Sequence, residues 1–227
     1  MTPTRWIQTL AAAALAASAW VSTAHAQFTI YVVRHGQTDW NKESRIQGGT
    51  DNPLNATGQD QAAALGRVLA DVRLDAVYTS SLQRARQTAA VFEGRAPIVA
   101  LDELRERHFG KFEGANEKDA ALVADWNKRR FTWADDMEGG ESLESQSKRA
   151  ETALRKIRER HKDGGTVAIV AHGGINPILV SHILGLPPQE GAAAIAQSND
   201  EVYRLEISKT GATSIWKLIP RTKLNEL

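Results

Sequence analysis

The 227-residue chain contains no cysteine. Disulfides, thiol nucleophiles and thiolate metal sites are therefore excluded, and stability must come from an ordinary hydrophobic core. It also lacks an excess of either charge, with 28 Lys and Arg against 27 Asp and Glu. That balance argues against bulk electrostatic binding to nucleic acid or to an anionic membrane, which needs a basic face. A long apolar run is missing too. The nearest to one, residues 10–21, is short and mostly alanine, which is too weak for a membrane span. It follows Arg5 and precedes Ala24-His25-Ala26, a small-x-small cleavage pattern, so residues 1–26 read as a secretory signal peptide. Loss of Arg5 takes the basic count from 28 to 27, equal to the acidic count. The expected mature chain starts near Gln27, is periplasmic or secreted, and keeps no stable membrane span after cleavage. No internal repeat or low-complexity linker follows, so residues 27–227 are expected to form one domain.

What the chain does have is an alternation of strand-like and helix-like segments. Residues 28–33 form a continuous β-branched and aromatic run, the pattern of a buried strand. Ala62, Leu65, Val68, Leu69 and Val72 recur at helical spacing, with Thr57 placed to cap the start. Short strands are expected at 75–79 and 98–100, with a helix over 82–92 between them and another over 117–130. Leu143, Ser147, Ala150, Leu154 and Ile157 mark a long amphipathic helix that Gly164-Gly165 would end. Residues 166–171 make a second strong strand, and a helix over 174–184 carries Pro177 in its first turn. Residues 202–207 and 213–218 read as closing strands. The class predicted is α/β, a three-layer α/β/α sandwich around a mainly parallel central sheet.

Two of the strongest strands end alike, in Val33-Arg34-His35-Gly36 and Ala171-His172-Gly173-Gly174. Ligands bind at the carboxyl ends of strands in open α/β sheets. If these two strands are parallel neighbours, both imidazoles emerge at the same edge, and Gly36 allows a sharp turn close to a bound group. Asn41, Gln47, Arg84 and Glu106 lie between them in loop-like settings. A metal centre is not expected: there is no His-x-x-x-His or comparable ligand pair, and neighbouring arginine would repel a divalent cation. No cofactor is implied.

In order and spacing, these residues resemble the histidine phosphatase superfamily, also called phosphoglycerate mutase-like. The resemblance rests on Arg34-His35-Gly36-Gln37-Thr38-Asp39-Trp40-Asn41, then Gln47-Gly48, Asp51-Asn52-Pro53-Leu54 and Gly58. It continues through residues 80–89, Leu104-Arg105-Glu106 with Phe109-Gly110 and Glu113-Gly114, Gly140-Glu141-Ser142, and Ala171-His172-Gly173-Gly174. It implies that His35 is a nucleophile forming phosphohistidine, that Arg34 and Arg84 clamp the phosphoryl oxygens, and that His172 donates to one of them. Asn41 and Gln47 would add neutral donors, with Gly48 and Gly173 also against the substrate. Gly173 rather than Asp follows His172, so the proton donor to the leaving group would be Glu106, chosen from a segment that also holds Asp102 and Glu103.

The activity implied is that of an exported, metal-independent phosphomonoesterase of the small phosphatase branch, acting on a small phosphorylated substrate. The alternatives are a phosphoglycerate mutase-type phosphotransferase and a non-catalytic phosphate-binding protein of the same fold. Specificity would reside in residues 46–52, 108–116 and 126–136. Arg86, His108, His161 and His182 read as structural or surface residues. Trp126 and Trp133 read as core packing, with the pocket mouth as the other option. Nothing in the sequence assigns an oligomeric state.

Overall fold

A computed structural model describes residues 28–218 of the chain, so the expected signal segment lies outside the described residues. Six strands form one sheet: β1 (Phe28–Arg34), β2 (Ala76–Ser80), β3 (Ile98–Leu101), β4 (Gly165–Ala171), β5 (Val202–Ile207) and β6 (Thr213–Leu218), in the order β3-β2-β4-β1-β5-β6. The first four are mutually parallel; β5 pairs antiparallel with β1, and β6 antiparallel with β5, so β5 alone is reversed. The helices are α1 (Asp39–Lys42), α2 (Ala56–Val68), α3 (Gln83–Ala89), α4 (Ala120–Arg129), α5 (Leu143–Arg160), α6 (Ile175–Leu184) and α7 (Pro188–Ala194).

The period-two alternation of β1 sorts its side chains between two cores. Ile30 and Val32 pack with Ala150, Leu154 and Ile157 of α5 and with Ile175, Ile178 and Leu179 of α6. Tyr31 and Val33 point the other way, against Leu65 of α2, Ala85 and Ala89 of α3, and Phe92. Helices therefore cover both faces, which is why β1 and β4 lack a polar face and read as continuous apolar runs. A smaller cluster of Ile46, Phe112, Ala115 and Met137 anchors the loops above the sheet edge.

The strands stand where the hydrophobic pattern puts them, within a residue, but several helix ends differ. Asn55, not Thr57, caps α2, its side chain accepting from the Gly58 amide at 2.9 Å. The helix stops at Val68, which is more than half exposed, and Val72 lies beyond it. Thr57 was an attractive cap by residue type, but the backbone leaves its extended form two residues earlier. The expected 82–92 helix becomes α3 followed by a 3₁₀ turn at Ala90–Phe92, and 117–130 becomes a 3₁₀ turn at Glu117–Asp119 leading into α4. Helix α5 ends at a His161 cap before reaching Gly164, and Gly165 already belongs to β4. Helix α7, opened by Pro188, had no apolar periodicity to reveal it.

Between β1 and α2 the backbone is packed tightly enough to require two glycines. A Cβ on Gly36 would meet the Gly58 carbonyl oxygen at 2.4 Å, and one on Gly58 would meet the Gln37 carbonyl oxygen at 2.1 Å. Alanine inside a helix normally gains about 1 kcal/mol over glycine. Gly58→Ala should instead destabilise by about 1–3 kcal/mol, because the obstructing atom is backbone. Urea unfolding with an unchanged slope and a lower midpoint is the expected result; a raised midpoint would contradict the close approach.

Candidate active site

Strands β1 and β4 pair in parallel with Arg34 opposite Ala171. The residues that follow, His35 and His172, therefore leave the sheet side by side, with ring centroids 5.1 Å apart. The His35 backbone is held at both ends: its amide donates to the Ala171 carbonyl at 2.9 Å and its carbonyl accepts from Asn199 Nδ2 at 2.7 Å. Both imidazoles are buried.

Their hydrogen bonds set the tautomers. His35 Nδ1 lies 2.7 Å from the Gly36 carbonyl, which only accepts, so the proton sits on Nδ1 and Nε2 keeps a lone pair. His172 Nδ1 lies 3.2 Å from Nε of Arg84, which only donates, so its proton sits on Nε2. That Nε2 is buried and has no partner in the protein. One ring thus offers a nucleophilic lone pair and the other an unused N–H. Burial, with Arg84 as the next contributor, pushes both imidazoles well below the ordinary histidine range. Both rings are therefore neutral at physiological pH.

Arg84 lies in the first turn of α3 and is 1% exposed. Its Nη1 donates to the Thr50 carbonyl at 2.7 Å and its Nη2 to the Gly48 carbonyl at 2.8 Å. Burial lowers its pKa to about 10, which still leaves a cation. The loop that receives it is held by Glu113, whose carboxylate accepts from the amides of Gly49 at 2.6 Å, Thr50 at 3.0 Å and Phe109 at 3.0 Å, and from the Thr50 hydroxyl. Gly48 has a positive φ of 56°, and a Cβ there would collide with Glu113. Its part is thus to bring its carbonyl to Arg84 within the cleft wall.

Arg34 donates from Nη1 to the Gln197 carbonyl at 2.7 Å, while its buried Nε has no protein partner. Gly173 lies against that guanidinium; an added Cβ would come within 3.1 Å of its carbon. The amide oxygens of Asn41 and Gln47 both face the Thr38 hydroxyl, at 3.1 and 2.5 Å. Thr38 has one proton to give and favours the shorter contact. With the oxygens occupied, the amide nitrogens are the free ends, and Gln47 Nε2 is buried without a partner. Glu106 accepts from Gly174 N at 2.7 Å, Gln146 Nε2 at 3.0 Å and the Arg107 amide at 2.9 Å. Asp102 bonds Ser81 and Glu103 bonds Lys156, so neither competes with Glu106 for the cleft.

Eight of the nine residues singled out from the sequence line one cleft of about 420 Å³, and the ninth, His172, lies beside His35 with its ring centroid 5.1 Å away. Trp126, edge-on to Phe109, is part of the cleft wall, whereas Trp133 packs on the main core. Arg86 is exposed, His161 caps α5 and bonds Tyr78, and His182 bonds Ser147, each away from the cleft. Sequence reasoning missed four contributors. Glu113 and Gln146 hold functional groups rather than supplying them; Arg107 looked like an ordinary charge beside Glu106; and residues 192–197, mostly alanine, carry no chemical signal. Among the described residues no group of three or more His, Cys, Asp or Glu could hold a metal ion.

The family model for the histidine phosphatase superfamily (branch 1) matches residues 30–217. The chain is 33% identical over 195 residues to phosphoglycerate mutase-like protein 4 of Arabidopsis thaliana, covering 82% of this chain and 84% of that protein. It is 36% identical over 154 residues to a metal-independent phosphoserine phosphatase of the same plant, covering 64% of each. A mycobacterial glucosyl-3-phosphoglycerate phosphatase, solved in complex with VO3, superposes with a TM-score of 0.72 at 28% identity, over 83% of this chain and 97% of that one.

Both histidines should remain uncharged as the pH falls through 6.5, the ordinary histidine value, because their folded-state pKa values are depressed. The unfolded chain binds those protons first, so stability should fall as pH drops below about 6.5. Long-range ¹H–¹⁵N spectra should show His35 protonated on Nδ1 and His172 on Nε2. Titration of either ring near its ordinary value would contradict the assignment.

Proposed function

Because the chain belongs to the histidine phosphatase superfamily (branch 1), we propose that it is a metal-independent phosphomonoesterase acting on a small phosphorylated substrate through phosphohistidine on His35. The observation that carries this reading is a lone pair, His35 Nε2, set among buried donors without partners: Arg34 Nε, Gln47 Nε2 and His172 Nε2. Buried polar groups are normally satisfied, so several bare donors around one nucleophile favour a bound oxyanion. A phosphoryl group supplies the acceptors and an electrophilic centre.

In the first step His35 Nε2 attacks phosphorus, the P–N bond forms and the P–O bond to the leaving group breaks. Glu106 gives its proton to that departing oxygen. The Gly36 carbonyl, accepting from Nδ1–H, steadies the positive charge the ring acquires. Arg34, Arg84 and His172 donate to the phosphoryl oxygens as charge gathers on them. These donors are fixed before substrate arrives, so little reorganisation accompanies the reaction. In the second step water attacks phosphorus, Glu106 takes its proton, and the P–N bond breaks to return the neutral imidazole.

Hydrolysis is preferred to phosphoglycerate mutase chemistry because the segment between Glu106 and His172 is compact. Export is part of the proposal and rests on residues 1–26. The protein recovered from outside the cytoplasm should begin at Gln27 on amino-terminal sequencing; an intact Met1 on cytoplasmic protein would contradict it.

The purified protein should hydrolyse p-nitrophenyl phosphate in EDTA, and His35→Ala should lose that activity. Glu106→Gln should still be phosphorylated by this activated ester but lose about 10²–10⁴-fold on an alkyl phosphate, whose leaving oxygen needs the proton. Equal losses on both substrates would remove Glu106 from the role of acid.

A further inference from the structure

We infer that Gln61 is a positioning residue for the proposed reaction: it orients the Gly36–Gln37 peptide and so assigns the proton of His35 to Nδ1. The inference rests on the phosphatase reading of the His35 pocket and adds what keeps its nucleophile in the reactive form.

A neutral imidazole can carry its proton on either nitrogen, and the hydrogen bond made by one of them decides which. For His35 that bond joins Nδ1 to the Gly36 carbonyl at 2.7 Å. Gly36 has no side chain to steady its carbonyl, so the direction must be set from outside.

A peptide bond is planar and trans, so the Gly36 carbonyl and the Gln37 amide point opposite ways from one rigid plate. The amide side of that plate donates to Gln61 Oε1 at 2.8 Å. Gln61 is half-buried on α2. The start of that helix is tied to the same residue, because the Asn55 amide donates to the Gln37 carbonyl at 3.0 Å. With the amide side fixed on Gln61, the carbonyl side is fixed on His35.

The preceding peptide, His35–Gly36, is gripped at both ends as well. Asn199 Nδ2 donates to its carbonyl at 2.7 Å, and its amide donates to Thr88 Oγ1 at 3.0 Å. Thr88 is 1% exposed and gives its one hydroxyl proton to the Arg84 carbonyl at 2.7 Å, which leaves its oxygen to accept from Gly36. Three elements, α2, α3 and the loop before β5, thus hold the two peptides around Gly36. Gln61 makes its contact on the plate that meets the imidazole.

The test compares Gln61→Met, which keeps the length and loses the acceptor, with Gln61→Glu, which keeps the acceptor. Left unpaired, the Gln37 amide turns to find water and carries the Gly36 carbonyl off Nδ1. Long-range ¹H–¹⁵N spectra of Gln61→Met should then show His35 Nε2–H as a second tautomer, absent from the wild type and from Gln61→Glu. On p-nitrophenyl phosphate, kcat/KM of Gln61→Met should fall about three- to tenfold, the worth of one hydrogen bond. Competitive inhibition by inorganic phosphate should stay near its wild-type strength, since Arg34, Gln47 and His172 are unmoved. Gln61→Glu should restore kcat/KM. A mere loss of folded protein would lower the rate without moving the tautomer. Should Gln61→Met fail to fold, Thr88→Val, with Thr88→Ser as its rescue, carries the same reading through the neighbouring peptide. An unchanged tautomer in the acceptor-free variant overturns the inference. So does a shifted tautomer at unchanged kcat/KM, or an equal loss in Gln61→Met and Gln61→Glu. If the wild type hydrolyses nothing, the phosphatase reading fails separately, and the tautomers alone decide the positioning.

Discussion

A guanidinium buried beneath the cleft floor is the constraint on which the rest of this structure depends. Taking an arginine out of water costs several kcal/mol unless its donors are met, and Arg84 is 1% exposed. The fold meets that demand from two directions: His172 at the end of β4, and the carbonyls of Gly48 and Thr50. Those carbonyls stay in place because Glu113 gathers the amides around them. The same cation opposes protonation of both imidazoles. One buried charge therefore fixes a loop, selects the His172 tautomer and keeps the His35 lone pair free.

Polar atoms in the cleft fall into two groups. Those that build it are satisfied by the protein: Glu113 by four donors, the Glu106 carboxylate by three, the Asn41 and Gln47 oxygens by Thr38. Those left bare are all donors and lie in two places, around His35 and along Arg107, Arg130 and Trp126. Donors without acceptors in a preorganised pocket describe the electrostatic negative of a ligand. The first set surrounds the His35 lone pair, as the proposed phosphoryl transfer requires; the second lies along the cleft wall.

Much of the strand framework was legible because burial on both faces removes polar positions and leaves unbroken apolar runs, as in β1 and β4. Helix ends were less legible. Thr57 and Gly164-Gly165 are good signals by residue type, yet Asn55 caps α2 and His161 caps α5, because the competing choice depends on where each helix must dock. Helix α7 carries no apolar stripe, so its part in the cleft wall could be found only from its packing against α6. Glu113 and Gln146 act on other protein groups rather than on a ligand. Their role exists only once residues far apart in the chain are brought together.

The sequence by itself determined which chemistry is present: two histidines at matching strand ends, arginines to meet an anion, and Glu106 able to carry a proton. These are local properties of residue type and of strand-ending glycines, and they survive without coordinates. The tertiary structure decided which nitrogen of each histidine bears the proton, which arginines are bound to the scaffold and which remain open. That division depends on long-range contacts, between Arg84 and His172 across the sheet edge and between Arg107 and Arg130 in the wall. Hydrogen-bond capacity belongs to a residue, but whether it is spent is a property of the fold.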